Sequence, residues 1–320
     1  SLFGPFKVAN PGGVVGTLDQ DRLAAIRAQL GPVPIAVPVS STVTSLDDGA
    51  SRSGTTRVNL PSFVPDIAAF HLLNNLDRVF DRIGGGTAQL RWVIEGTRAS
   101  GAPFSVDVSN MFANQFDVSF ESIFQPADQL FALENNGFEA AKITGVRFTG
   151  SVSSRFGQYS IDSVLIRRPN GTFVPAPTDE PLQVEAGSRL NLRVVLSQFR
   201  GVGAPVNVDL SVTVPPDTAG GFGSVMVTGG SFGDGDGESD QPATFDELLA
   251  QLRGITPNNS VNATLFVEKE TSNGFIQRET HGRAVVDQVA VGEESFPTEV
   301  VQPRRARPGV VAGNAWRLRS

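Results

Sequence analysis

The side chains best suited to chemistry lie together in one Asp-rich stretch, residues 234–240. Its carboxylates alternate with Gly and Ser, at Asp234, Asp236, Glu238 and Asp240. Oxygen ligands spaced along a flexible loop are what Ca²⁺ requires. A complete 12-residue calcium loop also has Gly at its sixth position and Glu at its twelfth, where this chain has Ser239 and Phe245. The stretch therefore predicts either a calcium site or a solvated hairpin loop, and no other cofactor is expected.

Acid–base and nucleophilic catalysis have few candidate residues in this chain. It contains two His, His71 and His281, and no Cys. The absence of Cys excludes thiol nucleophiles, disulfides and Cys-bound zinc. A serine triad would need one of these His residues beside an exposed nucleophile on a strained turn. We interpret both His residues as structural. The chain lacks a recognisable catalytic triad, and the sequence leaves open whether the full-length protein is an enzyme.

Charge is unevenly distributed along the chain. The net charge of −7 argues against general binding to nucleic acid. Residues 303–320 contain no acid but five Arg, which are Arg304, Arg305, Arg307, Arg317 and Arg319. Because the remainder is acidic, we predict that this tail interacts with an acidic neighbour, in the same chain or in the next copy. A solvated, disordered tail is the alternative.

Composition predicts a folded, turn-rich β protein. Hydrophobic residues make up 40% of the chain and charged residues 18%, with 34 Gly, 21 Pro and 22 Phe. No run approaches the roughly 18 apolar residues of a membrane-spanning helix, so no membrane span is expected. The predicted fold class is mainly β with a few helices, in which a β-rich N-terminal unit precedes an immunoglobulin-like β-sandwich.

In the first half, periodicity predicts helices among strands. End signals favour a short helix over 17–30, and β-branched residues favour a strand over 35–44, with Pro38 at a sheet edge. Apolar residues at three- and four-residue spacing predict a long helix over 66–83, with Phe70 on its apolar face. Strict alternation then predicts a half-buried strand with Trp92 inside.

The second half reads as an all-β domain with one inserted helix. Alternating apolar residues over 190–196 and 206–214 predict a strand pair of a sandwich. Thr244 and Glu247 form a capping box that begins a helix through Leu252. The predicted domains are residues 1–56, an N-terminal region; 57–174, a helix-plus-sheet domain; 175–302, the sandwich; and 303–320, the Arg-rich tail.

Five segments resemble a known family. They are 4–10 (GPFKVAN), 15–22 (VGTLDQDR), 61–70 (PSFVPDIAAF), 245–249 (FDELL) and 257–261 (PNNSV). Together they are similar to the carboxyl-terminal region of secreted bacterial, actinobacterial-type proteins that carry a SpoIVB-type serine peptidase domain. The resemblance implies an exported bacterial protein, extracellular or at the cell surface. It also implies that residues 1–56 are the end of a peptidase-like region, so that the chain begins inside a domain, as a fragment or a product of self-cleavage would.

The resemblance transfers no catalytic residue. The nucleophile of that family lies in a Gly-Met-Ser-Gly-Ser-Pro type motif, whereas Met111 and Met226 here stand in other contexts. Two hypotheses follow. In the first, the chain is a non-catalytic binding and scaffold region of a serine-peptidase-like protein. In the second, it is a structural subunit of an extracellular assembly, held by strand edges and the basic tail. Both predict a protein partner or self-association.

Overall fold

The computed structural model describes residues 16–22, 25–31, 36–177, 181–199, 204–230, 241–272, 274–286, 310–311 and 315–319. These ranges contain 16 β-strands and four α-helices. The chain is therefore mainly β with a few helices, as predicted.

The first two strands form a hairpin. β1 (Gly16–Arg22) and β2 (Ala25–Leu30) pair antiparallel. The prediction of a helix over 17–30 is therefore wrong. That prediction depended on residues that favour the ends of helices. Such residues give no information on whether the two halves of the segment pair as a β-hairpin.

A five-stranded sheet organises the first half of the chain. Its strands are β3 (Val37–Ser45), β4 (Ser51–Val58), β5 (Gly86–Thr97), β6 (Pro103–Asn114) and β7 (Lys142–Ser153). Their spatial order is β4-β3-β7-β5-β6, with β3 and β7 parallel and the other neighbours antiparallel. β7, the last of these strands in the chain, thus lies between the β3–β4 and β5–β6 hairpins.

The position of β3 corrects one prediction. Pro38 led us to expect an edge strand, but β3 lies between β4 and β7. The Pro is accommodated because pairing with β7 begins at Val39, one residue later. The edge strand is instead β4, whose Ser, Thr and Arg residues show no apolar alternation from which a strand could be predicted.

Four helices lie against one face of this sheet. They are α1 (Val64–Phe80), α2 (Val118–Glu121), α3 (Phe124–Glu134) and α4 (Phe245–Arg253). Alternate side chains of the sheet, including the fully buried Trp92 and Phe148, pack beneath them. No described helix combines the length and hydrophobicity needed to cross a membrane. We call the sheet with its four helices the first unit.

The remaining strands form a two-sheet sandwich, as predicted. They are β8 (Gln158–Arg167), β9 (Phe173–Pro175), β10 (Arg189–Gln198), β11 (Val206–Thr213), β12 (Phe222–Gly229), β13 (Ser260–Thr271), β14 (Gly274–Val285), β15 (Val310–Val311) and β16 (Ala315–Arg319). One sheet has the order β11-β10-β8-β15 and the other β14-β13-β12-β16, with β9 beside β8. In the second sheet β12, β13 and β14 pair in chain order, whereas in the first sheet β9 and the parallel strand β15 pair with β8 on the side away from β10.

Pairing divides the chain differently from the predicted domains. The boundary at 56/57 falls inside β4, and β8 joins the sandwich before the predicted boundary at 174/175. The segment 303–320 contributes β15 and β16 to the two sheets, so its described part is built into the sandwich. Conversely, α4 lies between two sandwich strands in the chain but packs in the core of the first unit.

Buried polar contacts hold α4 in that position. Trp92 Nε1 donates to Gln129 Oε1 over 2.8 Å, and Gln129 Nε2 donates to the carbonyl oxygen of Leu252 over 2.8 Å. At the outer end of α4, Arg98 pairs with Asp246 over 2.6 Å. The chain Trp92–Gln129–Leu252 therefore joins β5, α3 and α4 inside a single core.

Candidate functional site

His71 is buried and engaged by hydroxyls at both ring nitrogens. Its Nε2 lies 3.0 Å from Ser41 Oγ on β3, and its Nδ1 lies 2.9 Å from Thr56 Oγ1 on β4. Burial, together with the charge of Arg52, lowers the pKa of the imidazole and favours its neutral form. Ser41 is only 2% exposed, and the Thr56 hydroxyl occupies the place where a serine triad has its carboxylate. The cluster fastens α1 to the sheet.

A second polar pair extends this attachment along the same helix. Arg52 Nε on β4 donates to Asn75 Oδ1 over 2.7 Å, and Asn75 Nδ2 donates to the carbonyl oxygen of His71 over 2.6 Å. The edge strand β4 is therefore held to α1 largely by polar side chains. Sequence reasoning missed this because β4 lacks the apolar residues that identify a half-buried strand.

The other predicted site residues fall into two groups. Asp234, Asp236, Glu238 and Asp240 of the calcium hypothesis lie outside the described residues, as do Arg304, Arg305 and Arg307. Arg317 and Arg319 lie on β16, where their backbones pair with Met226 and Ser224. The structure thus brings two of the five tail Arg into a sheet. Within the described ranges, no three His, Cys, Asp or Glu side chains group as metal ligands would.

His281 lies within β14. Its side chain is 68% exposed, with Nε2 3.5 Å from Glu279 Oε1 and Nδ1 3.3 Å from Thr264 Oγ1. Neither contact supplies a nucleophile in an enclosed site. His281 is therefore a surface residue of the sandwich.

The unexpected feature of the first unit is the orientation of α1. The sequence predicts that Phe70 faces the core, yet Phe70 is 58% exposed. The polar His71 and Asn75 are 8% and 6% exposed instead. Because α1 has apolar residues around most of its circumference, the hydrophobic pattern alone does not fix which side turns inward. The polar contacts with β3 and β4 accompany the inward orientation of His71 and Asn75.

The same outward placement of Phe recurs on α1, α2 and α3, three of the four helices of this layer. Six Phe side chains are 39% to 83% exposed along α1–α3 and at their ends: Phe63, Phe70, Phe116, Phe120, Phe124 and Phe131. We call these six residues the aromatic face. On α3, Leu130 and Leu133 are buried, and Phe124 and Phe131, seven positions apart, share the opposite side of the helix. The rings of Phe120 and Phe124 meet edge to face at 4.8 Å.

The charges beside the aromatic face are mostly negative. Helices α1–α3 carry five carboxylates, which are Asp66, Asp77, Glu121, Asp128 and Glu134, and a single charged base, Arg78. Burial raises the pKa of Asp77, and the Asp117 carboxylate acts in the same direction. Asp77 Oδ1 and Ser119 Oγ are buried without a well-oriented hydrogen bond, although the Ser119 hydroxyl is near enough to oppose the rise in pKa. The face therefore combines aromatic area with negative charge.

An exposed apolar cluster rimmed by charge is typical of a surface that binds another molecule. The 22 Phe of the chain indicated that aromatic residues are abundant. The sequence did not show on which side of each helix those Phe residues lie. No protein-family model, curated protein or solved structure matches this chain.

Proposed function

We propose that this chain is a non-catalytic binding and scaffold region of an exported, serine-peptidase-like bacterial protein, and that it binds a partner polypeptide on the aromatic face. The observation that carries the proposal is the outward orientation of Phe on three adjacent helices while His71 and Asn75 face inward. The sequence resemblance to the region beyond a SpoIVB-type peptidase domain supports the same role. An extracellular or cell-surface location belongs to this proposal.

The chemistry of the face specifies the partner. Phe rings provide apolar contact area, which contributes most of the free energy of association at protein interfaces. The carboxylates beside them favour a partner with positive charge and disfavour one with negative charge. The fitting partner is therefore an amphipathic segment with apolar residues on one side and Arg or Lys at its margins.

Two synthetic helical peptides test this function. One has a Leu face flanked by Arg, and the other has the same Leu face flanked by Glu. Calorimetric titration is expected to show saturable binding of the Arg peptide, weakened by added salt, and much weaker binding of the Glu peptide. The double variant Phe120→Ser/Phe124→Ser should lose the binding.

Phe275→Ser is the matched control, because Phe275 is 68% exposed on β14, outside the helical layer. It should bind the Arg peptide as the native chain does. Equal affinity for both peptides, or equal loss in the control and the double variant, would contradict the proposed function.

The second candidate function, a structural subunit of an extracellular assembly, is favoured by the β4 edge. Among the described strands β4 pairs only with β3, and most of its residues are exposed. Such an edge can accept a strand from another copy. Sedimentation velocity over a range of protein concentrations separates the two functions. Reversible growth in particle size with concentration would favour assembly, whereas a constant monomer would exclude it.

A further inference from the structure

A cavity of about 620 Å³ opens at one end of the sandwich, between its two sheets. The adjacent ends of β10 and β11 line one side and those of β12 and β13 the other, and residues 181–184 also contribute. The apolar side chains that define its walls are Leu182, Leu190, Val214, Val225, Leu265 and Val267. Its volume falls in the range of small-molecule sites, roughly 300–1,000 Å³.

The lining of this cavity is free of charge. Of the residues that line it, none is Asp, Glu, Lys, Arg or His, in a chain with 18% charged residues. Gln183 and Thr218 are the polar side chains there, and the Thr218 hydroxyl donates to the carbonyl oxygen of Pro215 over 2.6 Å. An ionised ligand group would lose its hydration inside without gaining an ionic partner. The ligand section that enters is therefore uncharged, and the Leu and Val side chains of the walls favour an apolar one.

Burial along the strands shows that the sandwich core opens toward this end. On β13 the exposed fraction is 0% at Val261, 5% at Leu265 and 7% at Val267. On β10 it is 0% at Leu196 and 9% at Leu190. The closed end of β13 adjoins the first unit, where the backbone N–H of Asn258 donates to Asn110 Oδ1 over 2.7 Å. The cavity therefore lies at the end of β13 that is remote from the first unit.

The rim is shaped to leave an entrance. Gly220 has a φ of +78° and open space where a Cβ would stand. A Cβ at Gly221 would come within 2.6 Å of the carbonyl oxygen of Glu268, so this position accepts no side chain without displacing β13. Phe222 follows with 60% of its surface exposed. The rim thus includes a Gly turn packed closely on β13 and one exposed aromatic ring.

We propose that this cavity binds a single alkyl chain, inserted lengthwise between the two sheets with its polar head group left outside. A free fatty acid and the acyl chain of a lipid share this chemistry. The inference goes beyond the proposed function, because its residues are separate from the aromatic face.

Alkyl sulfonates of increasing chain length, competing with a dansyl-labelled fatty acid, provide the test. Affinity should rise about fourfold with each added CH₂ and then level off once the cavity is filled. Replacing the sulfonate by a trimethylammonium head should leave the affinity nearly unchanged, since the head group stays in water. Phosphatidylcholine vesicles can be added as a second competitor of the dansyl-labelled fatty acid. If the vesicles displace it with the same efficiency as monomeric amphiphiles, the natural ligand is the acyl chain of a lipid. If they do not displace it, the natural ligand is a free amphiphile.

Ala219→Trp, at the exposed rim, should block entry and abolish saturable binding, while circular dichroism should be unchanged. Ala140→Trp, at an exposed position in the first unit, is the matched control and should bind normally. The variant Phe120→Ser/Phe124→Ser should also bind normally, which separates this site from the proposed function. Absence of saturable binding, or binding that survives Ala219→Trp, would overturn the inference.

Discussion

The two halves of the molecule cover their sheets in different ways. In the sandwich each sheet covers the other, and the large apolar side chains exposed on its described strands are Phe222 on β12 with Phe275 and Val285 at opposite ends of β14. In the first unit a helical layer covers the sheet, and exposed Phe residues recur across three helices of that layer. A helix that packs with one side still presents a continuous opposite side, whereas a sandwich strand alternates every second residue. Exposed Phe therefore clusters where helices can align it.

Helix α4 links these two arrangements. It lies between the sandwich strands β12 and β13 in the chain but packs in the core of the first unit, so it connects the two halves. Substitutions in α4, in the first unit and on the outer faces of both halves test this comparison.

The largest effect is expected for Phe245→Ala in α4. Phe245 is 3% exposed and packs edge to face against Phe104 with ring centres 5.3 Å apart. Its truncation should cost about 3–5 kcal/mol and weaken the attachment of α4. The two Trp of the chain can report each half, because Trp92 lies in the first unit and Trp316 on β16. The variant Trp316→Phe keeps Trp92 as the reporter of the first unit, and Trp92→Phe keeps Trp316 as the reporter of the sandwich. In urea, the fluorescence transitions of these two variants should coincide when residue 245 is Phe and should separate when it is Ala.

Phe275→Ala controls for loss of an aromatic residue, and its transitions should stay coincident. Separate transitions in the unmodified chain would show that α4 does not couple the halves.

Gln129→Leu should have the next largest effect. The substitution leaves the Trp92 indole N–H and the Leu252 carbonyl oxygen buried without their hydrogen-bond partner. A loss of about 2–3 kcal/mol in the free energy of unfolding is expected. Asp128→Leu, at an exposed position on the same helix, should change stability much less. Similar losses in both variants would mean that the buried chain of hydrogen bonds has no special role.

Asp77→Asn is expected to stabilise the protein at neutral pH. Burial raises the pKa of Asp77 above its usual 3.8, so the carboxyl favours folding when protonated. The contribution of Asp77 to the free energy of unfolding is complete at a pH below the pKa that this group has in the unfolded chain. It is lost as the pH rises through the higher pKa that the group has in the folded chain. The Asn variant should therefore match the native chain in strong acid and exceed it at neutral pH, as measured by urea midpoints at several pH values.

Asp66→Asn, at an exposed position near the start of the same helix, should show no such gain. A difference between Asp77→Asn and the native chain that did not vary with pH would rule out ionisation of Asp77 as its cause.

The smallest effects are expected from two matched ion pairs on outer faces. Arg91 pairs with Asp107 in the first unit, and Arg193 pairs with Asp209 in the sandwich, each at 2.6 Å. Exposed pairs contribute little, but the Arg193 guanidinium also lies 3.9 Å from the ring centre of Phe173. Arg193→Ala should thus lower the thermal midpoint more than Arg91→Ala. The reverse order would show that the ring contact is unimportant.

Sequence patterns predicted the elements with strong periodicity. The strand containing Trp92 and the sandwich strands of 190–196 and 206–214 appear as predicted. Of the capping box, the Glu247 N–H donates to Thr244 Oγ1 over 3.2 Å as predicted, but the Glu247 carboxylate accepts from the Ala243 N–H instead of the Thr244 N–H. Prediction failed where a strand is defined by its backbone pairing and shows no apolar periodicity, as in the β1–β2 hairpin and the polar edge strand β4. The aromatic face was missed because α1 is apolar on most sides.

The sequence by itself determined the β-rich composition, the alternation that builds the sandwich and the excess of negative charge. Those properties follow from residue types and their spacing along the chain. The tertiary structure decided which side of α1 faces the sheet, where α4 packs and that β15 and β16 each join one of the sandwich sheets. Each of these depends on contacts between residues far apart in sequence, such as His71 with Ser41 and Gln129 with Leu252, which no local pattern encodes.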